Sequence, residues 1–252
     1  MSRPLMISIP FSHFCEKARW GLERAGIDFE EEGHLPIFHV RAVRRIGGAR
    51  SVPTLRTAEG VLNDSTEILL FADRRAAAER RLYPTEEGPR REVLELEEWF
   101  DTRLGPDSRR WVYSFVLPDR SLLAEIAGYG VPGWEMKLLM LGLPLARALM
   151  RKGMRIYPKQ VARSLATLHE TFDKVGERLA DGRRFLVGDR LTAADITFAS
   201  LAAPVLMPPE YPTPMPAIER FPAAIQAEIR WFQEHPAGRF ALRLYAEERR
   251  RR

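Results

Sequence analysis

The chain of 252 residues holds one cysteine, Cys15. A single thiol excludes an internal disulfide framework and a structural zinc site built on several thiolates. Histidine is scarce too, and His13, His34, His39, His169 and His235 show no ligand spacing for a metal. Long apolar runs are missing. The longest worth weighing, Leu138 to Ala146, has nine residues, under half of the ~20 that a membrane span needs. At the start, His13, Glu16 and Lys17 arrive too soon for a secretory segment with a cleavage site. A soluble, cytoplasmic protein without a transmembrane segment is the expectation. No internal repeat is visible.

A strong charge of one sign is lacking as well. The 39 basic residues exceed the 34 acidic ones by five, but Arg249 to Arg252 stand together at one end. Without them the body carries a single positive charge in excess, so the basic character reads as a tail. The other arginines are scattered among acids and no nucleic-acid motif appears, which argues against a nucleic-acid partner. Hydrophobic residues make up 45% and charged ones 29%. That balance is globular, and a chain of this length buries about 70–75% of its unfolded surface.

What is present changes character near residue 80. Before it, strand-like runs (Leu5 to Ile9, Phe29 to His34, Val52 to Arg56, Val61 to Leu62) alternate with helical patterns (Phe14 to Ala25, Thr66 to Arg75). Leu82 to Pro89 reads as a linker by its proline, glycine and charge. Afterwards the pattern is almost purely helical. Val93, Leu96, Phe100 and Leu104 share one face, as do Val161, Leu165, Leu168, Phe172, Val175 and Leu179. Ala193 to Ala203 and Pro222 to Glu234 read as further helices. The expected fold class is α+β: a unit over 1–80, a linker over 81–89 and an all-helical unit over 90–252.

Four places carry potential chemistry. Ser12 stands as N-cap of the first helix, where its oxygen meets free N–H groups and the positive end of the helix dipole favours an anion. Pro53 heads a strand, either through a cis peptide that exposes Val52 or as an edge-strand proline. Asp64 and Ser65 open another helix, as caps or as holders of the amino-acid end of a ligand. Thr192 and Asp195 are spaced as a capping box. Cys15, one turn into its helix, reads as a small buried hydrophobe, and His13 as a solvated first-turn residue.

In this order and at these separations, Ser12, Val52-Pro53, Asp64-Ser65 and the segment GDRLTAADITFA resemble the cytosolic-type glutathione transferases over nearly the whole length. Ser12 to Arg19 is similar to the CPFAERTR-like and CPFC-like segments of omega-type transferases and glutaredoxin relatives. Ser12 falls on their catalytic cysteine and on the serine of theta- and zeta-like members. The resemblance implies a thioredoxin-like N-terminal domain with a helical C-terminal domain, and a detoxifying enzyme with glutathione as co-substrate. It implies Ser12 as the hydroxyl that favours the glutathione thiolate. Val52 before Pro53 would pair with the cysteinyl backbone, Asp64 and Ser65 would hold the γ-glutamyl end, and His39 or Arg50 would reach the glycyl carboxylate. The hydrophobic electrophile would meet residues among Trp111, Tyr113, Phe115, Tyr129, Trp134, Met136 and Met140, the alternative being that most of these aromatic and Met side chains pack as core. The nearly apolar stretch from Tyr129 to Met150 suits a pocket wall, a dimer contact or a membrane-surface patch.

Two departures stand out: Asp64 replaces a longer Glu or Gln, and Ser12 removes any two-cysteine cycle. A homodimer is expected from the resemblance. A non-catalytic binding module of the same fold is the competing expectation. A membrane-associated relative is a third, since LNDSTEI at Leu62 to Ile68 is similar to the matching segment of the membrane-associated prostaglandin E synthase type.

Overall fold

The computed structural model describes residues 3–249. Four strands come first: β1 (Leu5–Ser8), β2 (Glu30–Gly33), β3 (Thr54–Thr57) and β4 (Gly60–Leu62). They form one mixed sheet in the order β2-β1-β3-β4, with β1 and β2 parallel and the other pairs antiparallel. Register sets Met6 opposite Leu55 and Ile7 opposite Thr54. Successive side chains point to opposite faces, so Met6 and Ile7 enter different cores. Met6 and Leu55 pack with Ala18 and Leu22 of α1 (His13–Arg24) and with Ile68, Phe71 and Ala72 of α3 (Ser65–Arg75). Ile7 packs with Ala42, Val43 and Ile46 on the side of α2 (His39–Arg45). Edge strand β2 reads Glu-Glu-Glu-Gly, and charge on an edge discourages further strand pairing.

The helical part begins with α4 (Glu87–Trp99). It therefore starts inside the linker expected over 81–89. Pro89 sits in its first turn, where the missing N–H has no partner to lose. The stripe of Val93, Phe100 and Leu104 runs on through a π-turn (Phe100–Leu104) into α5 (Gly105–Val116). Then follow α6 (Arg120–Ala127), α7 (Gly133–Leu141), α8 (Leu143–Gly153) and α9 (Pro158–Arg178). Helix α10 (Ala193–Leu206) is buried along nearly its whole length, and α11 (Ala223–Glu234) and α12 (Pro236–Glu248) close the unit. Helix α10 runs past the expected end at Ala203, through Pro204, to Met207 in the left-handed region (φ 51°).

The capping box at its start is formed. The Asp195 carboxylate accepts from the N–H and hydroxyl of Thr192 and from the N–H of Leu186, each at 2.7 Å. Burial pushes the Asp195 carboxyl up to about 6, against the pull of these donors.

Buried ion pairs fix α1 to the helical part. Lys17 is fully buried, with Nζ 2.9 Å from Glu97 and 2.7 Å from Asp101. Tyr83 donates to the other Glu97 oxygen at 2.8 Å. Arg249 corrects the reading of a free basic tail. It is only 7% exposed, its Nε donates to Glu16 at 2.6 Å, and it also pairs with Glu23. Helix α12 carries Arg249 back to α1, where buried carboxylates require a counter-charge. The rest of the expected tail, Arg250 to Arg252, lies outside the described residues.

Candidate functional site

Strand β1 delivers Ile9-Pro10-Phe11 to the start of α1. Ser12 there has extended backbone, and its Oγ accepts from the Cys15 N–H at 3.5 Å. Accepting that bond leaves the hydroxyl proton free to donate elsewhere. Cys15 is fully buried, and burial pushes its thiol up to about 11. His13 is not the solvated residue the sequence suggests. It is 4% exposed and its Nε2 lies 3.0 Å from the Gly105 carbonyl. A carbonyl only accepts, so Nε2 carries the proton. Burial first, and the Arg109 charge second, hold His13 down at about 3. This approach requires Gly105, because a Cβ there would stand 2.4 Å from the Phe14 ring.

The Val52-Pro53 peptide is cis. The loop before it is tied to the start of α3 through Asn63. The Ala49 N–H donates to Asn63 Oδ1 at 2.9 Å, and the Ser51 hydroxyl to the Asn63 carbonyl at 3.1 Å. One residue on, Asp64 caps α3, its Oδ1 accepting from the Thr66 N–H at 2.7 Å. Glu67 reaches back to the Asn63 N–H at 2.8 Å. The fold thus joins two motifs that are separate in sequence. Asp64 is exposed, while Ser65 and Pro53 are buried.

A cavity of about 360 Å³ lies between the sheet-end loops and the helical part. Ser12, His39 and Val52 line it from one side, and Tyr113 and Phe115 from α5 on the other. Arg50, Pro53, Asp64 and Ser65 are not part of its lining. Several expected pocket residues are placed elsewhere. Trp111 is 2% exposed and packs edge-on against Phe115 (4.9 Å) and Phe232 (6.0 Å), so it is core. Met136 and Met140, on α7, are half-buried against the core and do not reach the cavity, nor do Tyr129 and Trp134. Its methionines are Met150 and Met154 at the end of α8, with Met207 and Met215. A periodic apolar pattern marks which residues are inside but not which cavity they face.

Sequence reasoning missed Arg109. It is accessible, lines the cavity, and among the described residues forms no ion pair. Surrounding atoms lower its pKa by desolvation, and they push the Tyr113 phenol up to about 12. Burial also lowers His39. Among the described residues that line the cavity, Arg109 is the one fixed charge, with Asp, Glu and Lys all missing from the wall. The signal available in the sequence was its position, one helical turn before Tyr113 on the same face. Among the described residues no three His, Cys, Asp or Glu side chains are grouped to hold a metal ion.

A glutathione transferase from Sinorhizobium meliloti is 19% identical, with a TM-score of 0.60 over 98% of this chain and 99% of that one. A poplar glutathione transferase is 14% identical, with a TM-score of 0.60 over 99% of both chains. One from Methylobacterium radiotolerans, in complex with glutathione sulfonate, is 18% identical, with a TM-score of 0.56 over 96% of this chain and 95% of that one. These likenesses share the fold. No curated protein matches the chain. The model of the glutathione S-transferase N-terminal domain matches residues 6–80, and that of the glutathione S-transferase C-terminal domain matches residues 158–237. With both domains matched in order around a serine-capped helix and a cis-proline loop, the chain belongs to the glutathione S-transferase family.

Proposed function

We propose that this protein activates the thiol of glutathione and directs it at a hydrophobic electrophile or a peroxide. The observation that carries the reading is the position of Ser12, at a helix N-terminus and on the wall of an apolar cavity beside Val52. A free thiol titrates near 8.5, so little is thiolate at neutral pH. A donated hydroxyl hydrogen bond and the helix dipole both favour the anion. The sulfur lone pair then forms the C–S bond as the leaving group departs or the double bond takes the electrons. With a hydroperoxide, sulfur takes the terminal oxygen as the O–O bond breaks and the alcohol leaves, and a second glutathione displaces water from the sulfenic acid to give the disulfide. Cys15, buried and protonated, is no substitute for that second thiol.

In this reading the Val52 backbone pairs with the cysteinyl unit. Asp64 and Ser65 hold the γ-glutamyl end, and His39 or Arg50 meets the glycyl carboxylate. Residues 1–80 bind glutathione and 90–252 choose the second substrate. Arg109 supplies the counter-charge for an electrophile that is apolar along its length and acidic at one end. The glutathione sulfonate bound to the Methylobacterium radiotolerans relative supports the co-substrate. The family resemblance supports a homodimer, which sedimentation at micromolar concentration tests against the 28.9 kDa monomer.

The test is Ser12→Ala. We expect kcat/KM with a panel of electrophiles to fall by about a hundredfold, as for loss of one donor to a developing anion. The pKa of bound glutathione, read from thiolate absorbance, should rise. Full retained activity would overturn the Ser12 role. A carrier without catalysis is favoured by one observation, the Asp64 carboxylate already engaged as a helix cap. That reading predicts no thermal shift with millimolar glutathione.

A further inference from the structure

Between the two matched regions lies a helical hairpin whose two faces differ. On the inner face, Met150, Gly153 and Met154 at the end of α8 form part of the cavity wall. The outer face is apolar and open. Trp134, Leu138 and Leu141 follow one another at helical spacing on α7, and Leu145 and Leu149 continue the line on α8. All five are exposed, Leu141 at 81% and Leu145 at 67%. A row of this length is unusual on a water-facing surface.

The charges beside it have one sign. Lys137, Arg151, Lys152 and Arg155 are exposed, and among the described residues none of them forms an ion pair. The only carboxylate from Tyr129 to Tyr157 is Glu135. It is fully buried, accepting from the Leu35 N–H at 2.8 Å and lying 2.5 Å from His34 Nδ1. The outer face therefore offers leucines and a tryptophan flanked by cations, and the hairpin itself has no exposed acid.

We propose that this face docks on an anionic lipid surface, with the leucine row entering the headgroup boundary and the four cations meeting lipid phosphates. Charge complementarity selects this occupant. A second copy would be a poor match, because a twofold contact sets the patch against itself and brings the same cations together with no carboxylate between them. Among the described residues no helix is long and apolar enough to cross a membrane, so the attachment is peripheral, as for other cationic amphipathic helices. This inference goes beyond the glutathione reading and does not depend on it.

Co-sedimentation of the full chain with vesicles tests it, without glutathione. Vesicles of phosphatidylglycerol mixed with phosphatidylcholine should retain the protein, phosphatidylcholine alone should retain it much less, and salt should release it. Arg151→Gln with Lys152→Gln should weaken retention about thirtyfold, from the usual contribution of two cations at an anionic surface. Leu141→Glu with Leu145→Glu should abolish it, and an unchanged thermal melt shows that these exposed substitutions leave the fold intact. Equal retention by both vesicle types, or by wild type and the leucine variant, overturns the proposal. So does a dimer in sedimentation velocity that the leucine variant turns into monomer, since the face would then be a contact between copies.

Discussion

At the scale of single residues, the cavity is governed by two groups with opposite histories. Ser12 is visible in the sequence because an N-cap serine has a local signature, a polar residue just ahead of an apolar periodic run. Arg109 has none. It is one arginine among many, and only the fold leaves it on a cavity wall without a carboxylate. We expect Arg109→Leu to lower kcat/KM for electrophiles bearing a carboxylate by about tenfold to a hundredfold, the usual worth of a charge-assisted hydrogen bond. Neutral electrophiles should be affected little, and KM for glutathione should not move. A uniform loss across both groups would place Arg109 on the thiolate instead. His13 was misread for a related reason: a first-turn helix residue is usually wet, and nothing local announces the Gly105 carbonyl 92 residues away. Its folded pKa lies below its unfolded one, so the stabilising effect of keeping it neutral is complete above pH ~6.5. It is lost as pH falls from there toward about 3. The midpoint of thermal unfolding followed from pH 7 to pH 4 should therefore fall less steeply in His13→Gln than in wild type.

At the scale of elements, the caps were the most legible features and the linker boundary the least. Thr192 and Asp195 announce the start of α10 through chemistry confined to one turn, and the structure shows the box formed. We expect Asp195→Ala to cost about 2 kcal/mol in chemical denaturation, from a lost cap and the buried N–H groups of Leu186 and Thr192 left without an acceptor. Asp195→Asn keeps an acceptor and should cost less. By contrast, Gly88 and Pro89 look like loop residues, yet they lie in the first turn of α4, because a helix start makes no use of the N–H groups there. The hairpin of α7 and α8 was legible as apolar but not as two-faced. Trp111, Met136 and Met140 show the same limit, since hydrophobicity predicts burial and not the neighbour.

At the scale of the whole molecule, α1 is the keystone between the sheet and the helices. One side packs on the sheet. Other residues of α1 carry Lys17 to Glu97 and Asp101, and Glu16 to Arg249. The last of these links residues 233 positions apart. Arg249→Ala should destabilise the protein by about 3 kcal/mol, because the buried Glu16 loses one of its two counter-charges among the described residues and keeps Arg19, while Glu23 loses Arg249 as a partner. Urea denaturation would read that loss.

What the sequence determined by itself was whatever rests on local chemistry: strand and helix periods, caps, the proline ahead of β3, and through their order the family. What only the tertiary structure decided was which side chains share a cavity, which charges are buried in pairs, and which apolar face stays open. Those depend on contacts between residues scores of positions apart, and the free energy of a charge or a leucine is set by the surroundings that such contacts create rather than by its neighbours in the chain.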